Sequence, residues 1–311
     1  MLTVFSTPKP FHGHAGMIQR NAIRSWTLLS PKCEVILFGD EEGAGEIARE
    51  FHFRNDRDVH RSETGTKYIG FLFERGQQLA SNDIVCYSNC DIILMGSFWR
   101  AVEQVASFNR PFLMVGRRTN TDITEPLNFE RSDWEQHLES LARQRGRLGN
   151  EWCADYFVFS RGLYKDIPPL VNGRNYWDNW LIWRAYSLGA IVVDATPMVT
   201  AVHQNHDYGY HPGGAVGVMD DPQTRGNLAI GKNGWHLRTI DEATHLLTVD
   251  GIARNWARQR NMAVRISRWY WQELLNFTRP VRHAIGLRQR TVRKLRDRMQ
   301  RLGQSHDRSP R

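Results

Sequence analysis

The sequence predicts an α/β protein with a mixed, mainly parallel sheet flanked by helices, followed by a basic helical tail. Two observations predict the sheet. Short apolar runs alternate with segments of helical spacing through the first half of the chain. The runs also stop abruptly at polar residues, as buried strands do at a sheet edge. The tail follows from charge. Of 41 basic and 33 acidic residues, 16 and 3 fall in residues 254–311, so the net +8 joins a mildly acidic body to a strongly basic end.

In order, Leu2–Ser6 is β-like. Residues 17–29 place Met17, Ile18, Ala22, Ile23, Trp26 and Leu29 at helical spacing. Cys33–Phe38 reads as a second strand, closed by Gly39-Asp40, and residues 41–51 as a helix. Residues 68–80 form another helix, with Ile69, Phe71, Leu72 and Leu79 able to share a face. Ile84–Tyr87 is a strand, 98–106 a helix and Phe112–Val115 a strand. This rhythm predicts a parallel sheet whose ligands bind beyond the carboxyl ends of its strands, where Asn89 and Asp91 fall. Residues 155–160 and 190–193 look like strands and 177–188 like a helix. Residues 207–234, rich in Gly, Asp and Pro, read as a long mobile loop. In the tail, Pro280 separates two helical parts. From Val281 onward, Ile285, Val292, Leu295, Met299 and Leu302 make one apolar stripe on an Arg-rich helix. The expected division is therefore a domain over 1–253 and a basic amphipathic tail over 254–311.

With 41% apolar residues in 311, the chain can bury a real core, and 11% aromatic content excludes a disordered chain. Cys33, Cys86, Cys90 and Cys153 form no CxxC pair, which argues against structural zinc and against a disulfide framework. A reduced, cytoplasmic setting is the simpler expectation. The N-terminus reads as a strand, lacking the basic and long apolar regions of a signal peptide. No stretch approaches the ~18 consecutive apolar residues of a membrane span.

Three polar islands carry chemistry: Asn89-Cys90-Asp91, Trp177-Asp178-Asn179-Trp180 and His203-Gln204-Asn205-His206-Asp207. A buried acid without a partner is costly, so Asp91 is paired, solvated or holding a cation. Mg²⁺ and Mn²⁺ favour carboxylate oxygens, and Mn²⁺ also accepts imidazole. One Asp, one His and two phosphate oxygens would complete a shell only when a nucleotide diphosphate arrives. Asp178 is placed to act as a general base on an acceptor hydroxyl, between two indoles able to stack on a sugar. Each has a plainer rival. Asp91 can cap a turn, Asp178 can cap the helix that follows it, either histidine can be structural, and Trp177 and Trp180 can be core. Gly65-Thr66-Lys67 suggests a phosphate loop but lacks the GxxxxGK[ST] pattern.

Six stretches, "STPKPF" (6–11), "QRNAIRSW" (19–26), "EVILFGDEEG" (34–43), "DYFVFSRGLY" (155–164), "WDNWLIWRA" (177–185) and "VDATPMVTAVHQNHDY" (193–208), resemble a group of GT-A-fold glycosyltransferase-like proteins over roughly residues 1–250. The resemblance implies a nucleotide-sugar-dependent glycosyltransferase with a Rossmann-like GT-A fold. Asn89-Cys90-Asp91 stands where the family has its metal-binding DxD, with Asn in the first place. The resemblance assigns Mn²⁺ or Mg²⁺ to Asp91 with His203 or His206, and the base of an inverting reaction to Asp178. It places Thr7 and Lys9 against the nucleotide, and Asp40 against the base or ribose. Arg117 with Arg118, and Arg225 with Lys232, together with Lys67 and Asn89, would meet the rest of the donor. Asp155, Trp177, Asn179 and Trp180 would face the acceptor. A hexosyltransferase acting from a UDP- or GDP-sugar on a glycan or lipid-linked glycan is the expected activity. The tail would lie peripherally on an anionic cytoplasmic membrane face or pair with a helix, in preference to nucleic acid. Two rivals are a non-catalytic docking module with a degenerate site and a sugar nucleotidyltransferase. The second would need a Gly-rich basic loop after the first strand, and Thr7–Gly13 has one Lys and a late Gly.

Overall fold

Side chains of the first strands enter two apolar clusters by turns, and that alternation sets the layers. In β1 (Leu2–Ser6), Leu2 and Val4 enter one apolar cluster and Phe5 another. After α1 (Gly13–Thr27), β2 (Glu34–Phe38) repeats the pattern, with Val35 and Leu37 on the first side and Ile36 and Phe38 on the second. Strands covered on both faces read as continuous apolar runs, which is why they were legible. The computed structural model describes residues 1–108, 110–207 and 213–278.

The chain continues through α2 (Ala44–Glu50), β3 (Arg54–Asp56), α3 (Ile69–Leu79), β4 (Ile84–Ser88), β5 (Ile92–Ile93), α4 (Gly96–Ala106), β6 (Phe112–Val115) and β7 (Arg118–Thr121). It goes on to α5 (Trp134–Arg145), β8 (Arg147–Leu148), β9 (Tyr156–Ser160), α6 (Trp177–Ser187), β10 (Ile191–Asp194) and β11 (Ala201–Gln204). Then come α7 (Gly214–Asp220), α8 (Pro222–Ile230), β12 (His245–Thr248), β13 (Gly251–Arg254) and α9 (Arg258–Phe277). Among the described residues nine strands form a sheet in the order β13-β12-β10-β6-β9-β4-β1-β2-β3. Its pairs are parallel except where β9 and the edge strand β13 run backwards. Side chains of α1, α2 and α4 cover one face, and those of α3 and α6 the other. The protein is thus a mixed α/β fold with a mostly parallel central sheet and flanking helices.

A second sheet, β5-β11-β7-β8, sits on the first by construction. β5 follows β4, β7 follows β6 and β11 follows β10, each after a few residues. The small sheet therefore grows from the carboxyl edge of the large one. Leu138 and Ala142 of α5 pack against its Ile93 and Val202.

The expectation of one mobile loop over 207–234 is corrected: α7 and α8 lie within it. Asp221 accepts a hydrogen bond from the Gln223 N–H at 2.7 Å, and Pro222 opens the helix, so a capped start outweighs the glycines. Residues 208–212 of that stretch are outside the described residues. Helix α1 starts four residues earlier than the apolar spacing indicated, and α2 three residues later. Met1–Arg258 is one compact unit and a second begins at Gln259. In the second, α9 leaves Ile266, Tyr270, Trp271, Leu274 and Phe277 exposed. The stripe from Val281 to Leu302 lies outside the described residues. No helix among the described residues is long and apolar enough to cross a membrane.

Candidate functional site

The turn from β4 into β5 holds Asn89, Cys90 and Asp91, and the register of the small sheet decides what they meet. β11 runs antiparallel to β5 with His203 opposite Ile92, which carries His203 to Asp91. Gln204, fully buried, donates its backbone N–H and its Nε2 to the Asp91 carbonyl, each at 3.2 Å. His206 follows two residues on. Its Nε2 is 3.1 Å from Asp91 Oδ2, and the His203 Nε2 is 3.9 Å away. Ligand atoms of the three residues lie within 4.8 Å of one another. Asp91 Oδ1 and His203 Nδ1 are buried with no hydrogen-bond partner among the described residues. A bare carboxylate oxygen costs free energy unless a cation takes it, so this donor set fits a divalent metal. The sequence left open which histidine joins Asp91; the structure brings both.

Burial would raise the Asp91 carboxyl, but His203, His206 and Lys9 outweigh it and hold it below the usual carboxylate range. The hydrogen bond to Asp91 raises His206, whereas burial lowers His203.

Asn89 is placed differently from the expected DxD role. Because β9 runs backwards, its first residues stand at the carboxyl edge, and Asp155 lies beside Asn89. The Asn89 Nδ2 donates to Asp155 Oδ1 at 2.7 Å, and Arg118 Nη1 donates to Oδ2 at 2.7 Å. The amide N–H of Asn89 is thereby given to Asp155. Each side-chain oxygen of Asp155, a residue expected to face the acceptor, thus accepts one hydrogen bond. Arg118, named in the sequence beside Arg117 for a phosphate or a sugar, is turned to Asp155. Burial works against its charge, but Asp155 more than compensates and raises its pKa. Arg117 ion-pairs with Glu151 at 3.7 Å.

Asp178 lies in the first turn of α6, not at its cap. Tyr176 holds the cap position with a left-handed φ of 81°, a strained conformation for a large side chain. No ion pair joins Asp178 to a basic side chain among the described residues. Burial, with the Asp155 charge adding to it, pushes its carboxyl up to about 7 against opposing backbone N–H groups of Asn179 and Ala154. For its neighbours the sequence left both a sugar platform and a place in the core open. Trp177 and Trp180 are each 5% exposed. Trp177 packs on Tyr87 and Phe157, and Trp180 on Trp183. Asn179, also buried, donates to the carbonyls of Trp152 and Arg238 and so ties chain segments together.

Beside the metal-capable cluster opens a cavity of about 620 Å³, lined by Lys9, Pro10, His12, His14, Ala15, Asp122, Asn205, His206 and Asp207. Gln19 grips the Lys9 backbone from α1, accepting its N–H at 2.6 Å and donating to its carbonyl at 3.0 Å. Burial lowers the Lys9 ammonium, while Asp91 and Asp207 pull it back up. His12 and His14, at the start of α1, were missed; their signal was the His-Gly-His spacing after the first strand. Thr7, Asp40 and Lys67 gather elsewhere, at the ends of β1 and β2. Lys67 pairs with Glu41 at 2.6 Å and hydrogen-bonds Thr7, and Arg61 bridges Glu41 and Asp40 at 3.1 and 2.7 Å. Arg225 is exposed on α8 and donates back to the Asp220 carbonyl at 2.6 Å.

No protein-family model matches the sequence, and no curated protein matches it. Solved structures do. The chain is similar to TarS of S. aureus in complex with UDP-GlcNAc, at 10% identity and TM-score 0.45, over 66% of this chain and 58% of that one. It thus spans less than two thirds of the TarS structure. It is also similar to glucosyl-3-phosphoglycerate synthase of Mycobacterium tuberculosis in complex with Mn²⁺, UDP-glucose and phosphoglyceric acid. There the identity is 15% and the TM-score 0.45, over 74% of this chain and 80% of that one. The same synthase in complex with UDP gives 15% identity and TM-score 0.46, over 74% and 79%. At these values the likeness does not extend to a shared activity.

Proposed function

We propose that the protein is a metal-dependent glycosyltransferase of the GT-A type, moving a hexosyl group from a UDP- or GDP-sugar to a hydroxyl of a glycan or lipid-linked glycan. The observation that carries the reading is the convergence of Asp91, His203 and His206 beside a Lys9-bearing cavity, at the carboxyl edge of the sheet. Ligands of such sheets collect at that edge. A divalent ion, Mn²⁺ or Mg²⁺ in the expectation from sequence, neutralises a departing diphosphate when bound.

The chain's own groups supply the rest. Lys9 offers a positive charge on the cavity side of Asp91. Arg118 and Asn89 hold Asp155, and that fixed charge helps keep Asp178 basic enough to accept a proton near neutrality. In an inverting transfer Asp178 takes the proton of the acceptor hydroxyl. Residues 254–311 are proposed to rest against an anionic membrane, supported by their excess of basic residues and the exposed aromatic side chains of α9. Equal sedimentation with anionic liposomes after removal of that segment overturns the membrane contact.

The test is donor turnover across UDP- and GDP-sugars with Mn²⁺ or Mg²⁺. The wild type releases nucleotide diphosphate from one of them. Asp91→Asn loses this at least ~100-fold, since even a residue that only supports a metal ligand costs 10–100-fold when changed. Circular dichroism of the variant stays that of the wild type. Unchanged hydrolysis in a folded Asp91→Asn protein overturns the reading.

A further inference from the structure

We infer that two buried carboxamides, Asn21 and Gln204, are positioning residues for Asp91: they fix the turn that carries it to α1, the helix that also holds the Lys9 segment. The inference deepens the proposed function and rests on that reading for the purpose of the positioning, though not for the contacts themselves.

The two amides form a relay whose direction is set from both ends. The Leu127 N–H can only donate, and Asn21 Oδ1 accepts it at 3.0 Å. Asn21 Nδ2 therefore donates to Gln204 Oε1 at 2.9 Å. Gln204 Nε2 donates in turn to two carbonyls, that of Ile18 at 2.7 Å and that of Asp91 at 3.2 Å. Neither amide can flip without setting oxygen against oxygen. Gln204 is fully buried and Asn21 is 4% exposed, so a broken link leaves a buried polar atom bare, which is costly.

Helix α1 grips the same stretch again further along. Trp26 Nε1 donates to the Ile92 carbonyl at 3.0 Å, and Ser25 Oγ accepts the Leu94 N–H at 3.1 Å. Nearer the start of the helix, Gln19 brackets the Lys9 backbone through its N–H and its carbonyl. Polar side chains along one helix thus end on the two segments that bear Asp91 and Lys9.

Holding the helix in place does not need these bonds. Ala22 and Ile23 already give α1 an apolar hold on the core. Apolar contact is non-directional, whereas a chain of directed hydrogen bonds fixes where the turn sits along the helix. That precision matters to a reaction, where a misplacement of about 1 Å costs on the order of 100-fold in rate.

The test compares Gln204→Met and Asn21→Asp with the wild type and with Ile47→Val, a core change on α2. Gln204→Met fills the space and donates nothing. Asn21→Asp still accepts the Leu127 N–H but sets an oxygen against Gln204 Oε1, and it loses no volume, so it carries the test if the first variant is too unstable to measure. Amide hydrogen exchange of the metal-free full chain reads the turn. Both relay variants should speed exchange at Ile92 and Leu94 at least ~10-fold, while Ile47→Val leaves these amides as in the wild type. Donor turnover with Mn²⁺ reads the consequence: in the folded relay variants kcat should fall ~10–100-fold with the donor KM little changed. Unchanged exchange at Ile92 and Leu94 in both relay variants overturns the inference. So does an equal loss of kcat in Ile47→Val, for then the effect is one of stability alone. Faster exchange in the relay variants of a protein that turns over no nucleotide sugar keeps the hold of the relay on Asp91 and defeats the glycosyl-transfer reading. Wild-type turnover with unchanged exchange in the variants does the reverse.

Discussion

Two aspartates stand at the same sheet edge and differ in what surrounds them. Asp155 has a hydrogen bond on each oxygen, from Asn89 and from Arg118. Asp91 meets imidazole on Oδ2, and its buried Oδ1 has no partner among the described residues. A carboxylate held by a donor on each oxygen serves as a strut between the elements that supply those donors. An unsaturated one beside two imidazoles is a place for a cation. Sequence proximity does not distinguish them; hydrogen-bond satisfaction does.

The comparison is most directly broken at Arg118. Arg118→Ala strands the Asp155 charge in a largely buried site, and loss of one partner of such a pair costs about 3–5 kcal/mol. Thermal unfolding should show a large drop in Tm that Asp155→Asn in the same chain partly restores. If Arg118→Ala unfolds like the wild type, Asp155 is no strut.

Asp178 sharpens the comparison as a third carboxyl, one with no ion-pair partner among the described residues. Its carboxyl is raised to about 7, mainly by burial, while an unfolded aspartate ionises near about 3.9. Between those values the folded chain keeps a proton that the unfolded chain has lost. The stabilisation is complete below about pH 4 and is lost as pH rises through about 7. Asp178→Asn should therefore unfold at a higher temperature than the wild type above pH 7, with the gap closing in acid. The same substitution should remove the rise of transfer rate with pH through about 7, because the base works only when ionised. A variant with an unaltered pH–rate limb shows that another group accepts the proton.

Asn89→Asp probes the strut from its other side. The new carboxylate cannot donate to Asp155 and faces its charge, so stability should fall by about 1–3 kcal/mol in denaturant unfolding. A neutral effect joined to tighter Mg²⁺ binding means that position 89 faces the metal after all. At the small end, Arg117→Ala should change stability by no more than about 0.5 kcal/mol in denaturant unfolding, since its partner Glu151 is 3.7 Å away and both are partly exposed.

Much of the site was legible because strand ends are legible. The apolar run ending at Ser88 marked an edge, and an acid just past it invites a cation. The roles of Asn89, Arg118, Trp177 and Trp180 were not legible in the same way. A carboxamide serves equally as a ligand or as a donor to a neighbouring carboxylate, and only the reversed β9 puts Asp155 beside it. An indole in an amphipathic helix stacks on sugar or on Tyr87 according to the side that faces the core. Strands β7 and β11 escaped notice because neither is a long apolar run. Each is held by partners far along the chain, Ala201 beside Arg118 and His203 beside Asn120.

By itself the sequence determined the alternating elements of the first half, the buried two-faced strands and the basic character of the end of the chain. These depend on local periodicity and on charge counted residue by residue. Tertiary structure decided the reversal of β9, the small sheet grown from the carboxyl edge, and hence which polar side chains are satisfied and which are left bare. Those outcomes depend on register between strands distant in the chain, as when β11 sets His203 beside Asp91. No local pattern encodes that pairing.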